Sequence, residues 1–215
     1  MQKNIAWFYR SICNFIFNIN MTAKKRRVIK QYQYHVNRDG PIRLDLGCGA
    51  SKREGFIGID LSPEADIQWD LRQGLPCKDN TVSVIRSDHF FEHLELKDLI
   101  KILKECRRVL ISGGLLDFSV PHIDPYIQAY LNRDFDFLKE KIYDIPEGEK
   151  DLYNTCFDLI AWLLCREGEH KSMFDKDSII AKVGFAGFDT VFTREYDPEK
   201  DTNPRFSSIY VVAIK

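Results

Sequence analysis

No two of the six cysteines, at 13, 48, 77, 106, 156 and 165, stand in a C-x-x-C pair, and none shares a cluster with a histidine. That spacing argues against a cysteine-built zinc site and against a disulfide framework, so no metal is expected. A thiol at Cys48, inside a glycine turn, suits a reduced setting, and the expected location is cytoplasmic. There is no internal repeat and no low-complexity segment. A bilayer-spanning run is also lacking: the apolar stretch over 4–19 is short and broken by Arg10, Asn14 and Asn18. No small-residue cleavage site follows it, which argues against a signal peptide. What remains is an ordinary globular composition, 44% hydrophobic and 29% charged over 215 residues, enough for one α/β domain with a sizeable core.

A third glycine is missing where a nicotinamide-binding fingerprint requires one. Ile42 to Leu46 reads as a buried strand that stops at Gly47-Cys48-Gly49, and the next fingerprint position is Lys52. Glycines there let the backbone turn tightly and approach a ligand with no Cβ in the way. Asp45 precedes the turn, and Asp60 ends a second strand, Phe56 to Ile59, eleven residues after Gly49. A carboxylate at Asp45 repels a pyrophosphate and suits a ligand carrying an ammonium and a sulfonium. That points to S-adenosylmethionine rather than a dinucleotide.

The motifs from residue 67 onward, taken in order, carry a resemblance. Ile67 to Leu71 reads as a third strand ending at Asp70, then come Leu75-Pro76-x-x-Asp79-Asn80 and a fourth strand, Val82 to Ser87. His89-Phe90-Phe91-Glu92-His93-Leu94 comes next, then a helix over 97–110 with Arg108-Val109-Leu110-x-x-Gly113-Gly114 at its end. Over residues 42–121 this resembles the class I S-adenosylmethionine-dependent methyltransferases, most of all their methyltransferase type 11-like branch. The resemblance implies a Rossmann-like, mostly parallel seven-stranded α/β sheet with a C-terminal antiparallel strand. It implies S-adenosyl-L-methionine as cofactor and methyl transfer as the activity.

Crossovers between the first three strands are too short for the usual helices: only six residues separate Asp60 from Ile67. Ser112-Gly113-Gly114 reads as the end of the helix, and Leu115 to Val120 as the fifth strand. Residues 122–172 read as a helical insertion with helices near 125–141 and 151–166. A short helix over 177–183 and two strands, 188–194 and 207–214, paired at the sheet edge, complete the expected body, 41–215.

Asp45, Gly47, Cys48 and Gly49 are expected around the cofactor. Asp60 would accept from the ribose hydroxyls, with Leu61 beside it, or cap the turn at Ser62-Pro63. Asp70 would accept from the adenine amino group, with the Leu71 N–H completing that edge, or stand as a turn carboxylate. His89, at the carboxyl edge of strand four, is expected to line the transfer site or stack on the cofactor. His122 and His170 are the other candidates for a general base, which a hydroxyl or carbon acceptor requires. His93 reads as a hydrogen-bonded core histidine. Asn/Asp-Pro-Pro-Tyr is absent after strand four, where Ser87-Asp88-His89-Phe90 stands, so methylation of DNA bases is disfavoured.

The acceptor expected from this pattern is a small molecule or a glycan precursor. Competing readings are an RNA methyltransferase and a membrane-docked or cofactor-binding protein without turnover. Residues 1–40 carry eight Lys/Arg against one acid, whereas the remainder carries 23 basic and 31 acidic residues. An acidic body opposes phosphate binding, so nucleic acid is disfavoured. The stripe Ile5, Phe8, Tyr9, Ile12, Phe15, Ile16, Ile19 has helical spacing and must be buried. A second helix is expected over 22–36, stopped by Asp39-Gly40-Pro41. This arm is expected to pack on the body or on a second copy of the chain. Contact with an anionic membrane through residues 4–27 is the competing destination.

Overall fold

The computed structural model describes residues 23, 25–33, 41–142, 144–201 and 206–215. The helix expected over 4–19 and the Asp39-Gly40 stop lie outside them. Of the second expected helix, residues 25–33 are helical (α1) and bury Val28 and Tyr32.

Seven strands form one sheet: β1 (Ile42–Leu46), β2 (Ile57–Asp60), β3 (Ile67–Gln68), β4 (Val82–Asp88), β5 (Leu110–Pro121), β6 (Thr190–Arg194) and β7 (Ser208–Ile214). Their order is β3-β2-β1-β4-β5-β7-β6. β1 to β5 run parallel, and β7 is antiparallel to both β5 and β6. This is the expected Rossmann-like architecture: β6 and β7 pair antiparallel at one end of the sheet, with β7 between β5 and β6. The Tyr210-Val211-Val212-Ala213 run, buried throughout, fits an inner strand.

The α-helices after α1 are α2 (Leu96–Val109), α3 (Asp124–Leu131), α4 (Phe135–Lys141), α5 (Cys156–Cys165) and α6 (Lys176–Phe185). As the spacing requires, only turns connect β1 to β2 and β2 to β3. Three boundaries differ from expectation. β3 ends at Gln68, because Asp70 leaves the ladder to cap the 3-10 turn Leu71–Gln73. β5 begins at Leu110 and passes through the glycine pair that was expected to precede it; Gly113 takes a φ of +74° there. The single helix expected over 125–141 is two, broken where Arg133 adopts a φ of +57° and Asp134 caps α4.

Register places Leu44, Leu46, Ile59, Ile85, Leu116 and Phe118 on one face of the sheet. They share a buried cluster with Leu99, Ile102 and Leu103 of α2, Ile179 and Val183 of α6, and Val28 and Tyr32 of α1. The opposite face is charged. Asp45, Arg86 and Asp117 lie abreast there; Arg86 pairs with Asp117 at 3.0 Å, and Arg194 bridges Asp117 and Asp201 at 2.8 and 2.6 Å. The insertion has its own small core, with Tyr126, Leu138, Leu159 and Trp162 at its centre. Its α5 starts at a reciprocal cap between Thr155 and Asp158.

Candidate functional site

The strand order reverses between β1 and β4, and the carboxyl ends of β1, β2 and β4 meet at that point, where open α/β sheets bind ligands. Gly47 and Gly49 both take left-handed φ, +68° and +57°. A Cβ on Gly47 would lie 2.4 Å from the Phe90 ring, so the turn can close under Phe90 only with glycine there. At Gly49 nothing lies within 4 Å of a Cβ position. The space beside this half-buried backbone is open. Cys48 sits between them, its Sγ 3.5 Å from the Gly49 carbonyl, and burial near Asp45 and Asp60 pushes its thiol up to about 12. It stays a neutral thiol.

Asp60 caps the turn, one of the two roles expected of it. Its Oδ2 accepts from the Gly49 N–H at 3.0 Å and its Oδ1 from the Ser62 N–H at 2.8 Å. Each oxygen retains a second acceptor position, and Leu61 beside it is 60% exposed. Asp70 is more committed than a solvated turn carboxylate: it caps the turn through the Arg72 N–H at 3.0 Å and pairs with the Arg72 guanidinium at 2.9 Å. Hydrogen bonding by Arg72 holds its carboxyl below the usual range. The Leu71 side chain is buried beneath it.

Asp45 is 2% exposed, and its carboxylate is already paired. Arg53 donates to it through its backbone N–H at 2.9 Å and Nη1 at 2.6 Å, and Nη2 reaches Asp88 at 2.7 Å. Burial raises the Asp45 carboxyl above its ordinary value, and the Arg53 charge opposes this only in part. Arg53 is the site residue that sequence reasoning missed; its signal was the Lys52-Arg53 pair directly after an acid-flanked turn. Lys52, in place of the third glycine, pins the same loop to Asp66 at 2.5 Å.

His89 follows β4 with a φ of +47°, a region that side chains other than glycine seldom adopt. Its Nδ1 lies 3.1 Å from Glu92 Oε1 and its Nε2 2.9 Å from Ser208 Oγ. It lines a cavity with His170, Tyr126, Trp162, Arg166 and Phe206, so the insertion closes over the end of β4. His122 is not among these residues. It lines a neighbouring depression with Arg194 and Tyr196, and its Nε2 is 3.1 Å from Asp124. The three candidate histidines are therefore two and one. His170 is buried, with Nδ1 2.8 Å from the Leu163 carbonyl, and burial lowers its pKa.

A family model described as a methyltransferase domain matches residues 44–118, from β1 through most of β5. Residues 44–118 are a methyltransferase domain. The methyltransferase shares its fold with an S-adenosylmethionine-dependent methyltransferase from Archaeoglobus fulgidus, at 15% identity over 89% of this chain and 94% of that one, with a TM-score of 0.52. It shares it also with one from Methanosarcina mazei, at 17% identity over 86% and 96%, with a TM-score of 0.50. No curated protein matches it. The residues at the switch point suit the cofactor: the space at Gly49 is open, and Asp60 retains an acceptor position on each oxygen, as a ribose diol requires.

Proposed function

We propose that this methyltransferase acts on a small-molecule or glycan-type acceptor, held in the cavity under the insertion. Support comes from the lining of that cavity. Tyr126, Trp162 and Phe206 line it with aromatic surface, and Lys141, Asp144 and Arg166 carry charges of both signs, a mixture suited to a compact polar ligand rather than a polyanion. The acidic balance of residues 41–215 points the same way.

S-adenosylmethionine supplies an electrophilic methyl group on its sulfonium. The chain's own part is alignment and exclusion of water. Asp60 takes the ribose hydroxyls, Asp70 with Leu71 the adenine edge, and the Gly47-Cys48-Gly49 backbone the amino-acid end, with Asp45 and Arg53 offering one charge of each sign. Glu92 accepts from the His89 Nδ1–H and so leaves Nε2 with a lone pair. For His89 to remove a proton from an acceptor hydroxyl, that hydroxyl must take over from Ser208 Oγ, now 2.9 Å from that nitrogen. His170, on the same cavity, is kept neutral by its burial and shapes the wall. His122 belongs to the adjoining depression and is not assigned to this step.

The test is methyl transfer from labelled S-adenosylmethionine into fractionated cell extract. Label is expected in low-molecular-weight or glycan fractions; label in RNA instead would overturn the reading. With an acceptor in hand, His89→Ala is expected to cut turnover by about 10²-fold or more while cofactor affinity stays within about tenfold, the pattern of a proton-transfer group. Unchanged turnover would remove His89 from the reaction.

A further inference from the structure

Glu92, His93 and His170 meet behind the acceptor cavity. One nitrogen of each imidazole and one oxygen of Glu92 lie within 4.8 Å of one another, although His170 is 77 positions from His93 in the chain. Glu92 is 1% exposed. Its Oε1 serves His89, but among the described residues its Oε2 has no hydrogen-bond partner. Buried carboxylate oxygens are rarely left so, and an ion is one of the groups that fill such a place.

The two imidazoles are held as metal ligands are held. His93 Nδ1 lies 3.1 Å from the Glu169 carbonyl, and His170 Nδ1 lies 2.8 Å from the Leu163 carbonyl. A carbonyl only accepts, so in each neutral ring the proton sits on Nδ1 and the lone pair on Nε2. Backbone carbonyls commonly fix metal-bound histidines through the second ring nitrogen in this way. Two lone pairs and a carboxylate converging without a proton between them repel one another unless a cation joins them. His93 Nε2 is 4.0 Å from Glu92 Oε1, and the ring centroids are 5.3 Å apart. Tetrahedral bonds of about 2.0–2.1 Å set ligand atoms about 3.4 Å apart, so the site needs to contract by roughly an ångström. The His93 side chain is 38% exposed, the least confined of the three.

We propose that Glu92, His93 and His170 bind a divalent transition-metal ion, zinc fitting best, with a fourth position left open. Two imidazoles and a single carboxylate suit zinc, whereas magnesium and calcium favour shells of oxygen. Bound there, the ion fastens the insertion to the turn after β4. That contact is already built in the backbone: the Lys171 and Ser172 N–H groups donate to the Glu92 carbonyl at 2.8 and 3.0 Å, and Ser172 Oγ donates to the Leu94 carbonyl at 2.9 Å. Sequence spacing gives no sign of the site, because only Glu92 and His93 are neighbours in the chain.

The experiment uses the untagged full-length protein, stripped with chelator and checked for folding by circular dichroism. Zinc titrated by calorimetry is expected to bind one equivalent and to raise the melting temperature. Cobalt in its place is expected to give a visible spectrum of nitrogen and oxygen ligation without thiolate charge-transfer bands. His93→Ala, a change at a partly exposed side chain, and Glu92→Gln are each expected to weaken zinc binding by at least about tenfold, with Cys48→Ser leaving it unchanged. No zinc binding by the wild type would overturn the proposal. So would thiolate bands with cobalt, or undiminished affinity in a folded His93→Ala protein.

Discussion

A methyl group added to Gly47 meets the Phe90 ring, and one added to Gly49 meets nothing. Both residues hold left-handed φ, so each alanine carries a backbone cost of about 1–2 kcal/mol. Only Gly47→Ala adds a collision within the fold. Gly47→Ala is therefore expected to lower the melting temperature much more than Gly49→Ala. Gly49→Ala is expected to fold and to lose cofactor affinity, because its methyl group enters the open space beside the turn. Equal melting temperatures, or full affinity in Gly49→Ala, would remove that distinction.

Asp45 makes a different kind of claim. Its carboxyl is raised by burial, so the folded protein keeps the proton to higher pH than the unfolded chain does. The stability this group contributes is complete below the ordinary carboxylate value of about 3.9 and is lost as pH rises through the raised value. At pH 8 the ionised side chain is a burden on the fold. Asp45→Asn is expected to hold or raise the melting temperature at pH 8 while weakening S-adenosylmethionine binding. A lower melting temperature with unchanged affinity would mark Asp45 as structural, its pairing with Arg53 outweighing its burial.

At the scale of elements, the arm gives the clearest test. Val28 and Tyr32 of α1 are 2% and 5% exposed and join the main core, and the Tyr32 hydroxyl lies 3.2 Å from Thr81 Oγ1. Deleting residues 1–38 uncovers that apolar face of the sheet. The truncated protein is expected to aggregate or to melt well below the full-length chain. If it melts like the full-length chain, and only the latter sediments with anionic vesicles, the arm serves a membrane surface instead. None of the described helices is long and apolar enough to cross a membrane.

Elements with strong periodicity were legible. β1, β4 and α2 lie where apolar spacing put them, and the missing helices after β1 and β2 follow from chain length alone. Boundaries set by side chains hydrogen-bonding to the backbone were not legible. Asp70 draws the chain out of β3 by capping a turn, and Asp134 splits the insertion's first helix; in both, a short carboxylate competes with the regular ladder. The place of β7 between β5 and β6 rests on pairing across the sheet, which a linear pattern does not encode.

For the whole molecule, the same division separates the two halves of the site. Most residues expected on the cofactor side, Asp45 to Leu71, fall within 27 positions of chain, and the fold brings the glycine turn and Asp60 together, the Gly49 N–H donating to Asp60 at 3.0 Å. The cavity proposed for the acceptor joins His89 and His170 across the fold, and spacing could not show that His170 stands with His89 while His122 stands apart. Arg53 lies within the cofactor-side stretch and pairs with Asp45 eight positions away, but its second partner, Asp88, is 35 positions away.

The central claim is that the switch point between β1 and β4 is an S-adenosylmethionine site read by Asp60. Calorimetric titration of the full-length protein with S-adenosylmethionine tests it most directly. One equivalent is expected to bind, NAD is expected not to, and Asp60→Ala is expected to cost about 1–3 kcal/mol of affinity by stranding hydrogen-bonding groups. Absence of S-adenosylmethionine binding, preference for NAD, or an Asp60→Ala protein with wild-type affinity would contradict it.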